Sequence, residues 1–397
     1  MATKIRIQEP QQGNTGFLSH GFRPFFLLSS IWAAAAMIIW VLLLMNVIAL
    51  PLTLDIVSWH AHEFLFGYLG AVIAGFMLTA VPNWTGRLPI RNRRLGMLVL
   101  LWMAGRIVIL LAAHFPAGIV VSIDLSFLIV FALMIAREVI AGKSKRNFIV
   151  LGLLGTVVLG NAVFHWEILQ GEYAAQGVGL RLGLAASIML VALIGGRIVP
   201  SFTRNWLAKQ KVTSLPAQVG KFDMACLVML FVAVMLWVVF PFEDFTALAL
   251  ALAGSLHFVR LSRWQGHQTG KEPLVWILHA GYAFVPLGAV ALAVATLMPS
   301  LMDSASAQHL WMGGAIGVMT IAVMTRATLG HTGSDLVGGA GTTSLYACII
   351  LATLTRVTAG FLPTFSMSLY GISAALWVAS FTGFALLYGP LLLKKRT

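Results

Sequence analysis

Apolar runs of roughly twenty residues recur along the whole chain, each long enough to cross about 30 Å of hydrocarbon. They cover residues 25–48, 62–82, 95–113, 117–136, 148–169, 178–199, 222–240, 245–261, 273–298, 309–326, 344–360 and 367–393. The runs are continuous rather than alternating and rich in Ala, Leu and Met, which predicts helices and argues against barrel strands. The expected fold is therefore all-α: a polytopic membrane bundle of about twelve transmembrane helices.

Charge along the polar connections tests this independently. Lys4, Arg6 and Arg23 precede the first run. The second connection holds Arg87, Arg91, Arg93 and Arg94, and the fourth Arg137, Lys143, Lys145 and Arg146. The sixth holds Arg204, Lys209, Lys211 and Lys221, the eighth Arg260, Arg263 and Lys271, and Lys394, Lys395 and Arg396 end the chain. The tenth is the weak case, with Arg326 at its border and Asp335 inside. Odd connections carry Asp55, Glu172, Glu243, Asp244 and Asp303, with no Lys or Arg. By the positive-inside rule the basic side, and with it both termini, is cytoplasmic. The expected organisation is one transmembrane domain over 1–397: a cytoplasmic segment 1–24, a helix bundle 25–393 and a tail 394–397. That makes it a multi-pass membrane protein.

Composition agrees. Hydrophobic residues make up 59% of the 397 residues and charged ones 10%, against about 25% charged in a soluble domain. The solvent for most of this surface is lipid. The net charge of +13 is then a topology signal, helped by anionic head groups, and calls for no nucleic acid. Cys226 and Cys348 sit in apolar segments without a CxxC, and there is no CxxCH to attach a c-type haem. Gly67, Gly70, Gly195, Gly196, Gly313 and Gly314 mark close helix packing.

Histidine is the informative residue, because ionisable groups inside a membrane are costly and tend to be functional. Topology sorts the ten histidines into two layers. His60, His62, His114, His165 and His309 fall in the outer one, and His20, His257, His267, His279 and His331 in the inner one. Trp59-His60-Ala61-His62-Glu63 is the densest motif. In a helix, residues two apart point about 200° apart, so these imidazoles cannot share one metal. They serve two centres, or one binds metal while the other anchors the helix end; an interfacial pair bonded to loop carbonyls is the plain alternative. His309 and His331 are 22 residues apart, about 33 Å along a continuous helix, and cannot belong to one site. His279, six residues into its span, needs a metal or a hydroxyl as partner. His114, His257 and His267 read as solvated. Arg106, Arg181 and Arg356 lie inside spans. Either Arg106 pairs with Asp124 to fasten two helices, or such arginines bind carboxylates of a cofactor.

Several segments together resemble the NnrS family of bacterial membrane proteins. They are His20-Gly-Phe-Arg-Pro-Phe-Phe26, Trp59-His-Ala-His-Glu-Phe64, Ala74-Gly-Phe76 with Asn83-Trp-Thr-Gly86, and Gly195-Gly-Arg-Ile-Val-Pro200. Leu278-His-Ala-Gly-Tyr282, His309, Gly317-Val-Met-Thr320 and Met324-Thr-Arg-Ala-Thr-Leu-Gly-His-Thr-Gly333 complete the set. The resemblance implies haem b and copper as cofactors and nitric oxide as the partner molecule, in detoxification or denitrification. Carried onto this chain, the cofactor-binding residues are His20, His60, His62, His279, His309 and His331, with Arg23, Arg106 and Arg326 for cofactor carboxylates. His60, His62, His279, His309 and His331 are the metal ligands. Glu63 is the catalytic carboxylate, a proton donor or a group that fixes the neighbouring imidazole. The implied reaction joins two nitric oxide molecules, two electrons and two protons into nitrous oxide and water. Electrons then come from another protein or from quinol. A solute or metal transporter is the competing reading, since twelve spans are a common transporter layout; a non-enzymatic nitric oxide sensor or a maturation factor is the third.

Overall fold

Asp55 ends the first connection and caps the helix that carries the histidine motif, its carboxylate accepting from the backbone N–H of Val57 (3.0 Å) and Ser58 (2.9 Å). That helix, α2, therefore starts at Ile56, not at residue 62, and places His60 and His62 within its first two turns. The computed structural model describes residues 16–394. Lys4, Arg6, Lys395 and Arg396, which the charge pattern assigns to the cytoplasmic side, lie outside the described residues.

Among the described residues there is no strand, and twelve long helices follow one another: α1 Phe22–Leu44, α2 Ile56–Thr85, α3 Arg93–Leu110, α4 Ala117–Ala141, α5 Phe148–Leu169, α6 Val178–Lys209, α7 Lys221–Val239, α8 Asp244–Ser262, α9 Pro273–Leu297, α10 Ser304–Thr332, α11 Ala340–Phe361 and α12 Ser366–Leu393. Eleven are long and apolar enough to cross a membrane. The twelfth, α3, differs in carrying Arg93, Arg94 and Arg106 within eighteen residues.

Among the other boundaries that differ from expectation, three show how the chain sets its helix ends. Helix α1 begins at Phe22 because Pro24 falls in its first turn, where a missing N–H costs nothing. Helix α6 runs through Pro200 to Lys209, ten residues into the expected polar connection. Helix α10 continues to Thr332, where Gly333 at φ 80° ends it in the left-handed conformation that glycine adopts freely.

Burial divides the bundle. The most apolar windows of α2, α6, α9 and α10 are 67–72% buried, against 33–39% for the other seven spans. Four inner helices are thus wrapped by outer ones that show Leu100, Leu133 and Phe231 outward. Two of the inner helices contain π-helical stretches, Glu63–Tyr68 in α2 and Leu310–Val318 in α10, each starting one residue after a histidine. Such stretches occur often at functional sites. Arg23 Nη1 donates to the carbonyls of Leu392 (3.0 Å) and Lys394 (2.8 Å), which fastens the start of α1 to the end of α12 at one end of the bundle.

Candidate functional site

At the end of the bundle away from Arg23, helices α1, α2, α10, α11 and α12 enclose a cavity of about 190 Å³. His60 of α2, His309 of α10 and Arg356 of α11 line it, with Trp40, Tyr68 and Trp377 among its aromatic walls. Asp303 caps α10 by accepting from Ser306 N–H (2.8 Å), so His309, like His60, sits in the first two turns of an inner helix. His309 Nδ1 donates to the Ala305 carbonyl (2.7 Å). That bond fixes the tautomer and leaves Nε2 with its lone pair, the arrangement found in metal-ligating histidines. The His60 ring stands between Trp40 and Phe64, with centroids 4.5 and 4.6 Å away. Its Nδ1 is buried without a partner, as is Nη1 of Arg356, whose guanidinium lies 4.7 Å from the Tyr370 ring centre. Two imidazoles and a cation on an apolar wall, with a nitrogen of His60 and one of Arg356 buried and unpartnered, suit a metal-bearing cofactor with an acidic substituent. The volume lies below the roughly 300–1,000 Å³ of typical ligand pockets, so the donor set and not the volume carries this fit.

His62 points the other way, into a fully buried ionic cluster between α2, α3, α4 and α5. Its Nδ1 lies 3.1 Å from Glu63 Oε1, and its Nε2 3.1 Å from both Asp124 Oδ2 and Asn161 Oδ1. Arg106 bridges the carboxylates, Nη1 to Glu63 Oε1 (2.5 Å) and Nη2 to Asp124 Oδ1. His165 Nε2 and Asn161 Nδ2 also reach Asp124 Oδ2, at 2.9 and 2.8 Å. One ligand atom each from His62, Asp124 and His165 falls within 4.8 Å of the others. Gly67 makes room for this: a Cβ there would collide with the Arg106 guanidinium, and its carbonyl accepts from Trp102 Nε1 (2.9 Å). Glu63 is fully buried and is not part of the cavity wall.

The remaining histidines, apart from His114, gather at the opposite end. His279 Nε2 meets the Thr203 hydroxyl at 2.7 Å, the hydroxyl partner that its depth called for, while its Nδ1 has none. His257, read from the sequence as solvated, is instead fully buried. The face of α8 that carries it turns toward α7 and α9, where its Nε2–H donates to the Cys226 carbonyl (3.1 Å) and its Nδ1 accepts from Tyr282 (2.9 Å). Arg260 extends this chain, donating to Tyr282 Oη (2.7 Å) and Asp223 Oδ1 (3.0 Å). His331 and His20 flank the Phe22 ring, with centroids 5.4 and 6.1 Å away, and Arg326 lies 4.2 Å over Phe202. His114 and His267 are exposed.

The structure thus brings His60 together with His309, and His62 with Glu63 and Arg106, and keeps both pairs apart from His20, His279, His331, Arg23 and Arg326. Sequence reasoning missed Asn161 and assigned no role to His165. These two are four residues apart on α5 and so share a face, which is the one signal that pointed to them.

A search of curated proteins returns no match. The family model described as NnrS protein matches residues 16–396, nearly the whole chain. The chain belongs to the NnrS family.

Proposed function

We propose that this protein is a haem- and copper-containing protein of the bacterial inner membrane, with both termini cytoplasmic, that binds nitric oxide and reduces it to nitrous oxide. One observation carries the reading: on a chain of the NnrS family, two histidines and an arginine converge on a single apolar cavity, with one buried nitrogen each of His60 and Arg356 left unpartnered. His60 and His309 are the residues that would hold the haem, and Arg356 the one that would face its carboxylates. Bound there, a haem would supply a store for an electron and, once one of the two imidazoles is not on the iron, a place for nitric oxide.

The chain's own residues do the rest. Trp40 and Phe64 fix the plane of the His60 ring, and the Ala305 carbonyl fixes the tautomer of His309. The apolar walls admit a small apolar gas from the lipid and keep water out. Two nitric oxide molecules, two electrons and two protons yield one nitrous oxide and one water. Protons do not cross lipid and need a carboxylate or water chain. Glu63, one residue before Phe64 of the cavity wall, is the carboxylate assigned this role, and its Oε2 has no partner. Electrons come from another protein or from quinol.

The test is an absorption spectrum with metal analysis of the purified protein, reduced and then exposed to nitric oxide, with nitrous oxide measured in the gas phase. The expected result is a Soret band that shifts with nitric oxide and release of nitrous oxide when electrons are supplied. A fully loaded, reduced protein that binds nitric oxide and never releases nitrous oxide overturns the reductase and leaves a binder. No Soret band after growth with ample iron overturns the haem.

A further inference from the structure

We propose that Arg197 and Arg146, on the lipid-facing side of α5 and α6, form a binding site for the phosphate of an anionic phospholipid. The site lies at the end of the bundle opposite the cavity and is independent of the function proposed for it.

The motif Gly195-Gly-Arg-Ile-Val-Pro200 has no part in the cavity or in the buried ionic cluster, and most of it is packing. Gly195 lies against Tyr282 and Gly196 against Arg260, and Val199 and Pro200 are buried. Arg197 is the exposed residue of the six. Its Nη1 donates to Asn147 Oδ1 (3.2 Å), so it stands level with the start of α5 at Phe148. There α5 enters the apolar layer. Phe148 and Ile149 are 46% and 59% exposed and face lipid, while Lys143, Lys145 and Arg146 fill the connection just before them.

The charge balance is what sets this place apart. Ionisable residues within membrane helices almost always face the bundle interior or pair with one another. Arg106 does so on Glu63 and Asp124, and Arg260 on Asp223. Arg197 faces outward instead. Among the described residues no carboxylate forms an ion pair with it, nor with Lys143, Lys145 or Arg146. The neighbouring charge that acts on it is a second cation, Arg146. Two guanidinium groups together at the edge of lipid call for an anion, and phosphate matches their planar fork. Ser201, exposed one turn beyond Arg197 on the same face of α6, adds a hydroxyl. The apolar surface beside the pair, Phe148 and Ile149, suits an acyl chain, which selects a lipid over a free ion or a soluble partner. Basic pockets between membrane helices bind anionic head groups in this way. A zwitterionic head group is disfavoured, because its ammonium meets the same cations. Once held, the lipid braces the start of α5 against α6.

The test uses the full-length protein in neutral detergent, titrated with phosphatidylglycerol or with phosphatidylcholine. The unfolding temperature and the lipid retained in native mass spectrometry are read together. The expected result is that both rise with phosphatidylglycerol at a half-saturating concentration well below that of phosphatidylcholine. Arg197→Gln and Arg146→Gln should each raise that concentration about fivefold, the effect of one cation at an anionic surface. Lys209→Gln, at the far end of α6, should leave it unchanged, and inorganic phosphate should not replace the lipid. Equal half-saturation by the two lipids overturns the proposal. So does wild-type behaviour of both arginine variants, a loss in Lys209→Gln as large as in Arg197→Gln, or full replacement of the lipid by inorganic phosphate. Arg146 is exposed in a connection, so should Arg197→Gln fail to fold, Arg146→Gln decides alone. None of these readouts depends on haem content, so either proposal can fail without the other.

Discussion

His60 and His62 stand two residues apart on α2 and serve opposite sides of it. His60 faces the cavity between Trp40 and Phe64, while His62 is bound 3.1 Å from Asp124 of α4. The π-helical stretch from Glu63 to Tyr68 begins at this point. One short helix segment thus holds a residue of each centre in fixed relation, which is useful where two metals or a metal and a proton must act on one molecule.

The cavity makes Arg356 a specific target. Its Nη1 is buried without a partner, and a hydrogen bond to a charged group is worth about 1.5–3 kcal/mol. Arg356→Gln should therefore weaken haem retention by roughly 10- to 100-fold, read as the rate or extent of haem transfer to an excess of an apo haem protein. Retention equal to wild type would remove Arg356 from the cofactor site.

Arg106 should matter to stability far more than Arg181. Arg106 joins Glu63 and Asp124 in a fully buried cluster. Arg181 donates only to the Gln176 and Val238 carbonyls near the start of α6. Breaking a buried pair from one side costs about 3–5 kcal/mol, because uncompensated charge stays behind. Thermal unfolding in detergent should show a much larger drop for Arg106→Met than for Arg181→Met. Equal drops would mean that the cluster is not the fastening it looks to be.

Much of this was legible in the sequence, and the parts that were not share a cause. Helical periodicity alone separates His60 from His62, and the depth of His279 alone demands a partner. Neither names Asp124, Asn161 or Thr203, which arrive from distant helices through packing. His257 looked wet because it lies near the end of its apolar run, where histidine is usually solvated. Yet that end is packed: Arg260, three residues on, is itself buried on Asp223. The helix through Pro200 was illegible for a related reason: proline predicts a break by local geometry, and in this bundle α6 continues past it.

The close packing of Gly196 gives a stability test with an internal control. A Cβ there would run into the Arg260 guanidinium that ties Asp223 to Tyr282. Overpacking of this kind costs about 1–3 kcal/mol. Gly152 on α5 has open space around a built Cβ, and Gly→Ala in a helix interior gains about 0.5–1 kcal/mol. Gly196→Ala should lower the unfolding temperature and Gly152→Ala should hold or raise it. The opposite order would show that Arg260 yields easily and that the network is loosely held.

Glu63 carries the last and most demanding expectation. The sequence singles it out as the carboxylate beside the histidine pair, and the structure sets it one residue past His62, fully buried, with Arg106 and His62 on Oε1. Its Oε2 has no hydrogen-bond partner. Glu63→Gln keeps the size and the hydrogen-bonding oxygen but cannot relay a proton. The variant should fold and keep the Soret band, because Glu63 is not among the residues proposed to hold the haem. It should slow nitrous oxide release at least tenfold, toward the roughly 10²–10⁴-fold contribution of a general acid. Binding of nitric oxide to the reduced protein should be unchanged, which separates a lost proton step from a lost binding site. Turnover at the wild-type rate in a Glu63→Gln protein with full metal content would remove Glu63 from the proton path and assign it to holding His62 and Arg106 in place.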